Sequence, residues 1–189
     1  MLARSLRRSL AAAVFAIAAI LGSAGAVTAS SATPYCGITW GSLPKLADTS
    51  STAALTDVRT GRHDCYDRVV FDFQGAATGY HVDYVSAVYS EGKGDKLPVA
   101  GGATLRVVLL EPAYDLQTGA STYPHAVGEH VAGVSEYRTL RDVVYGGTFE
   151  GYTTVGVGVR ARLPFRVFTL TGPDTHSRIV LDVAHRWSR

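Results

Sequence analysis

His125, Glu129 and His130 are the side chains of this sequence best suited to hold a metal ion or to pass a proton. Their spacing works against both tasks. Two histidines five apart do not share a helix face, and Pro124 and Gly128 oppose a helix, so the cluster reads as part of a solvated loop. The competing reading is a small secreted metal-dependent hydrolase that uses residues 113–133 as a lid and these three residues as ligands or acid/base groups. No Gly-x-Ser-x-Gly elbow, His-Glu-x-x-His pair or phosphate-binding Gly-x-x-x-x-Gly-Lys loop accompanies them. Asp64, Asp67 and Asp72 form an acidic group near a turn, but Asp64 and Asp67 suit turn and strand-entry positions better. No catalytic residue, metal or cofactor is expected.

Arginine and aspartate carry a more regular pattern. Asp67-Arg68-Val69-Val70-Phe71-Asp72-Phe73 returns 110 residues later as Ser177-Arg178-Ile179-Val180-Leu181-Asp182-Val183. In each copy Arg and Asp share one face of a strand, and large apolar residues fill the other at period two. Within a copy they stand about 13 Å apart at strand rise, so they do not pair with each other. If the copies lie antiparallel and adjacent, Arg68 faces Asp182 and Arg178 faces Asp72, with Val70 and Val180 between, and the repetition completes the fold. If the copies lie apart, the arginines are free to hold ligand carboxylates or phosphates in bidentate fashion.

The elements that must position these residues are short strands. Residues 54–59 and 67–74 make a hairpin with Cys65 near its tip and Thr60 to Asp64 as the turn. Tyr80, Val82 and Tyr84 alternate toward a core. Leu105 to Leu110 is apolar on both faces for most of its length, which suits a central strand. Residues 113–133 carry Gly119, Pro124, Gly128 and Gly133 without a sustained period and read as a long loop. Leu140 to Tyr145 is a strand that Gly146-Gly147 turns into Tyr152 to Arg160. On that strand Val155, Val157 and Val159 share one face, while Tyr152, Gly156 and Gly158 lie on the other, leaving bare backbone where the sheet bends or something lies close. Phe165 to Leu170, with Arg166, precedes the second repeated strand. Seven or eight strands without an amphipathic helix predict an all-β antiparallel sandwich, with an antiparallel barrel as the alternative.

Residues 1–29 read as a secretory signal peptide: Arg4, Arg7 and Arg8, then an uncharged run from Leu10 to Leu21, then small residues. The run is short for a membrane span. With three of the eighteen basic residues in this leader, fifteen remain against sixteen acidic ones, net −1, which gives a nucleic-acid partner no support. Residues 160–189 hold six arginines against Asp174 and Asp182, so this end either faces an anionic polymer or carries solvated strand-edge charges. Two cysteines in an exported chain predict a Cys36–Cys65 disulfide that staples an arm spanning residues 30–52, whose Ile38, Trp40, Leu43 and Leu46 pack piecemeal.

Val58-Arg59-Thr60-Gly61-Arg62-His63-Asp64 running into Asp67-Arg68-Val69-Val70-Phe71, with Pro164-Phe165-Arg166-Val167-Phe168-Thr169-Leu170 and Arg178-Ile179-Val180-Leu181-Asp182-Val183, resembles the AMIN-like domain of secreted actinobacterial proteins. The resemblance covers most of residues 53–185 within a domain expected over 53–189. It is similar to the AMIN modules that accompany cell-wall amidases and secretins, which implies a β-sandwich with a non-catalytic targeting role in the envelope. The expected partner is a cell-wall polymer, peptidoglycan or an attached glycan, or an envelope protein. The alternative is a structural or protein-interaction domain without glycan affinity. The expected binding residues are Arg68, Asp72, Tyr152, Gly156, Gly158, Arg166, Arg178 and Asp182.

Overall fold

A computed structural model describes residues 33–188; the signal-peptide reading falls outside them. A single 3-10 turn, Tyr35–Gly37, precedes nine strands: β1 Lys45–Ala47, β2 Ala54–Arg62, β3 Tyr66–Gln74, β4 Tyr80–Val85, β5 Ala103–Leu109, β6 Leu140–Phe149, β7 Tyr152–Val159, β8 Phe165–Thr171 and β9 His176–Ala184. They form two antiparallel sheets, β1-β4-β5-β7-β6 and β2-β3-β9-β8. The sheets pack face to face as a sandwich and neither closes into a barrel.

The period-two faces explain the packing. Val69, Phe71 and Phe73 of β3 and Ile179, Leu181 and Val183 of β9 are buried against Val82, Leu105, Val107, Leu109, Val155, Val157 and Val159 of the other sheet. β5 is the middle strand of its sheet, as its apolar run predicts. The outer face of that sheet has a small core of its own, where Val88, Leu97 and Val99 cover Val144. A Cβ on Gly156 would reach Val99 Cγ2 at 2.5 Å, and one on Gly158 would overlap the Ala100 carbonyl. The glycines of β7 therefore admit the chain's own 97–102 segment, which leaves no bare backbone there.

Three boundaries differ from the sequence reading. β2 runs on through Thr60-Gly61-Arg62, pairing Gly61 with Arg68 and Arg62 with Asp67, so only His63 to Cys65 turn. Gly146-Gly147 does not turn the chain. It lies inside β6, where the register slips between Tyr145 and Gly147, and the reversal comes at Glu150-Gly151, both at positive φ. The arm contains β1, three residues paired with β4, and packs less than expected: Ile38 is buried, but Leu43 and Leu46 are exposed. The long loop lies along the outer edge of β6, where Gly128 and Val131 donate to Tyr145 and Val143 carbonyls and Tyr145 donates to Glu129. That edge is thereby covered.

Candidate functional site: the outer face of the second sheet

The repeated strands β3 and β9 are adjacent and antiparallel, with Arg68 opposite Asp182, Val70 opposite Val180 and Asp72 opposite Arg178. β2 and β8 extend these rows, so Arg59-Val70-Val180-Phe168 forms one row, flanked by Gly61-Arg68-Asp182-Arg166 and Asp57-Asp72-Arg178-Leu170. Four arginines and three aspartates thus share one sheet face.

The two ends of this face are bonded differently. Asp182 is fully buried and accepts from Arg68 Nε at 2.6 Å and Nη2 at 2.9 Å, and from Arg166 Nε at 2.9 Å. One buried carboxylate holds two guanidinium groups. The hydrogen bonds to Asp182 raise the Arg68 guanidinium above its ordinary pKa. Aromatic rings complete the packing: Arg166 lies 4.4 Å from the Trp40 centroid and 4.9 Å from Phe168, and Arg68 lies 5.4 Å from Tyr66. Trp40 arrives from the arm, which the Cys36–Cys65 disulfide ties to the β2–β3 turn. His63 stacks on Tyr66 at 4.5 Å.

At the other end, Asp72 does not take Arg178. It takes the β2 residue Arg59, bidentate at 2.6 and 3.0 Å. Arg178 instead donates to the Gly172 carbonyl at 2.8 Å, and among the described residues it makes no ion pair. Two open depressions share Arg59 and Arg178. One, of about 210 Å³, is floored by Val70 and Val180 and reaches Gly61, His63 and Arg68; the other, of about 300 Å³, is bounded by Asp72, Pro173 and His176. Such a surface offers guanidinium donors above an apolar floor, which suits a carboxylate or phosphate carried on a larger molecule.

Arg68, Asp72, Arg166, Arg178 and Asp182 therefore lie together. Tyr152, Gly156 and Gly158 belong to the other sheet: Tyr152 is exposed beside Phe149 at a hairpin tip, and both glycines are buried. Sequence reasoning assigned no binding role to Arg59, Tyr66, Phe168 or Trp40. The first three had a signal in strand alternation, whereas Trp40 reaches the face only through the disulfide.

The histidine cluster does not converge on one centre. His125 Nδ1 meets Glu129 at 2.8 Å, while His130 Nδ1 meets Asp142 at 2.7 Å, and no group of three potential metal ligands occurs among the described residues. Buried Asp67 joins the sheets, accepting from Thr139 and Leu140 N–H groups and contacting His185 Nε2 at 3.0 Å. No described helix is long and apolar enough to cross a membrane.

No match was found among curated proteins or among solved structures. The profile of the AMIN-like domain family matches residues 53–185, from the strand-entry of β2 to the end of β9. Together with the disulfide, that match points to an extracellular or envelope protein. The repeated Arg/Asp strands, the sandwich they close and the extent of the match show that this chain belongs to the AMIN-like domain family.

Proposed function

We propose that this protein is a secreted, non-catalytic binding module of the cell envelope, and that the outer face of β2-β3-β9-β8 holds an anionic cell-wall polymer, peptidoglycan or a glycan attached to it. Arg178 carries the reading: it is a guanidinium with no carboxylate partner among the described residues, standing between two depressions on a face whose other three arginines are each paired to Asp72 or Asp182. An elongated ligand lying across both would meet Arg59 and Arg178 in turn, with Val70 and Val180 beneath it. Family membership supports an envelope-targeting role. The histidines, each tied to its own carboxylate in two separate pairs, supply no assembled acid/base centre.

Asp182 favours a second reading, in which the face only completes the fold. Its burial between Arg68 and Arg166 is what a structural cluster requires. Co-sedimentation of purified protein with sacculi, before and after removal of teichoic or arabinogalactan polymers, separates the two. Binding that weakens as salt is raised supports an anionic ligand. Protein that stays in the supernatant with every preparation supports the structural reading.

A further inference from the structure

Among the described residues, two of the four sheet edges are managed: β1 is only three residues long and β6 is covered by the 128–131 segment. β2 is covered in part, with the Leu55 N–H and C=O taken by the Pro112 carbonyl and the Thr122 hydroxyl, and Tyr137 donating to the Thr60 hydroxyl. β8 is open over its C-terminal half. Along it, Gly172 donates to His176 and Ala184 donates to Pro164, so even-numbered residues turn their main-chain groups toward β9. Odd-numbered residues turn theirs outward. Phe165 N–H is taken by the Gly41 carbonyl, and the Val167 carbonyl accepts from the Tyr80 hydroxyl at 3.3 Å. Beyond these, the N–H of Val167 and the N–H and C=O of Thr169 and Thr171 have no partner among the described residues, and Thr169 to Thr171 are exposed. No proline, bulge or lysine interrupts the strand.

We propose that β8 pairs antiparallel with β8 of a second copy of this chain, joining two four-stranded sheets into one. The strand is self-complementary about Thr169, the register that uses most of its outward groups. With Thr169 on the two-fold axis, Thr169 meets its own copy and Val167 meets Thr171, which forms about four main-chain hydrogen bonds from the unpartnered groups and two more at the second lone pair of the Val167 carbonyl, beside the Tyr80 hydroxyl. On the outer face Phe168 then lies against Leu170 of the other copy, twice, and on the inner face Val and Thr pair with Thr. No like charges are opposed, and these are pairings that sheets favour. Registers centred on Phe168 or Leu170 also bring odd-numbered residues together, with about four main-chain hydrogen bonds each, so the register centred on Thr169 makes the most. The dimer would set two arginine faces side by side on one continuous sheet, so that two arms of a polymer, or two polymers, engage at once. This pairing stands whether or not the face binds a polymer.

Sedimentation velocity of the purified protein over a range of concentrations tests it. The expected result is a monomer–dimer equilibrium that Thr169→Pro abolishes, because the lost N–H points away from β9 and the sheet's own ladder stays intact. Thr169→Lys, which keeps the N–H but adds an edge charge, should also give a monomer, and covers the case in which the proline variant fails to fold. Far-ultraviolet circular dichroism at dilution should be the same for wild type and both variants. A wild-type protein that remains monomeric at every concentration would overturn the proposal, as would a dimer that survives Thr169→Lys.

Discussion

Asp182 decides how much of the arginine face is architecture. Fully buried, it offsets two guanidinium groups, one on each neighbouring strand. Removing its charge leaves Arg68 and Arg166 facing each other across β9 without a counter-ion. Asp182→Asn should therefore destabilise the fold by about 3–5 kcal/mol, the range typical of removing one partner of a buried ion pair, as measured by urea unfolding. A loss below about 1 kcal/mol would mean that solvent already screens the cluster. Glu111 poses the opposite case. Its Oε1 accepts from Thr78 and Gly79 N–H groups and the Ser51 hydroxyl, while Oε2 is buried without a partner. Burial outweighs those bonds and raises its pKa. A carboxyl raised in the folded state contributes most when protonated, so stability falls as pH rises from the unfolded carboxyl's value through the folded one. Glu111→Gln, uncharged throughout, should show a flatter melting profile across that window. Equal slopes for the two proteins would remove Glu111 as the cause. The repeated phrase exposed the Arg68–Asp182 pairing to sequence reasoning because strand register alone determines it. The Arg59–Asp72 bond was hidden, since nothing in a strand's alternation says that a neighbouring arginine competes more successfully than the one directly opposite.

Among elements, β7 shows how a sequence signal can be right in kind and undecided in meaning. Two glycines on one strand face require that something come close, and the segment that does so is the chain's own 97–102 stretch. The consequence is a graded sensitivity. At Gly156 the obstacle to a Cβ is the tip of Val99, which can rotate; at Gly158 it is the Ala100 backbone, which cannot move without releasing the Ala100 N–H from Asp142. Gly158→Ala should thus cost about 2–4 kcal/mol in thermal or urea unfolding and Gly156→Ala about 1–2 kcal/mol, in keeping with overpacking against backbone and side chain respectively. Equal costs would contradict the close approach of residue 100. Turn positions were less legible. Gly146-Gly147 carries the composition of a hairpin turn but serves as a bulge, because the positive-φ pair that reverses the chain is Glu150-Gly151 and the first of these is not a turn-former by type.

Across the whole molecule, the sandwich was readable because its inner faces are written at period two in β3, β4, β7 and β9, and the disulfide because the two cysteines follow a stretch that reads as an export signal. The position of Trp40 over Arg166 was not readable, as it depends on a cross-link and a path of the arm that carries no period. If the outer face of β2-β3-β9-β8 is a binding surface, Arg178 is held there for a ligand and not for the fold. Sacculus co-sedimentation of Arg178→Ala, with its melting temperature recorded beside wild type, separates these two roles. Arg178 gives up one hydrogen bond to a carbonyl and no ion pair among the described residues, so the variant should lose about 1 kcal/mol of stability or less while its binding falls about tenfold or more. Undiminished binding by a folded Arg178→Ala protein would show that this face does not hold the polymer through Arg178.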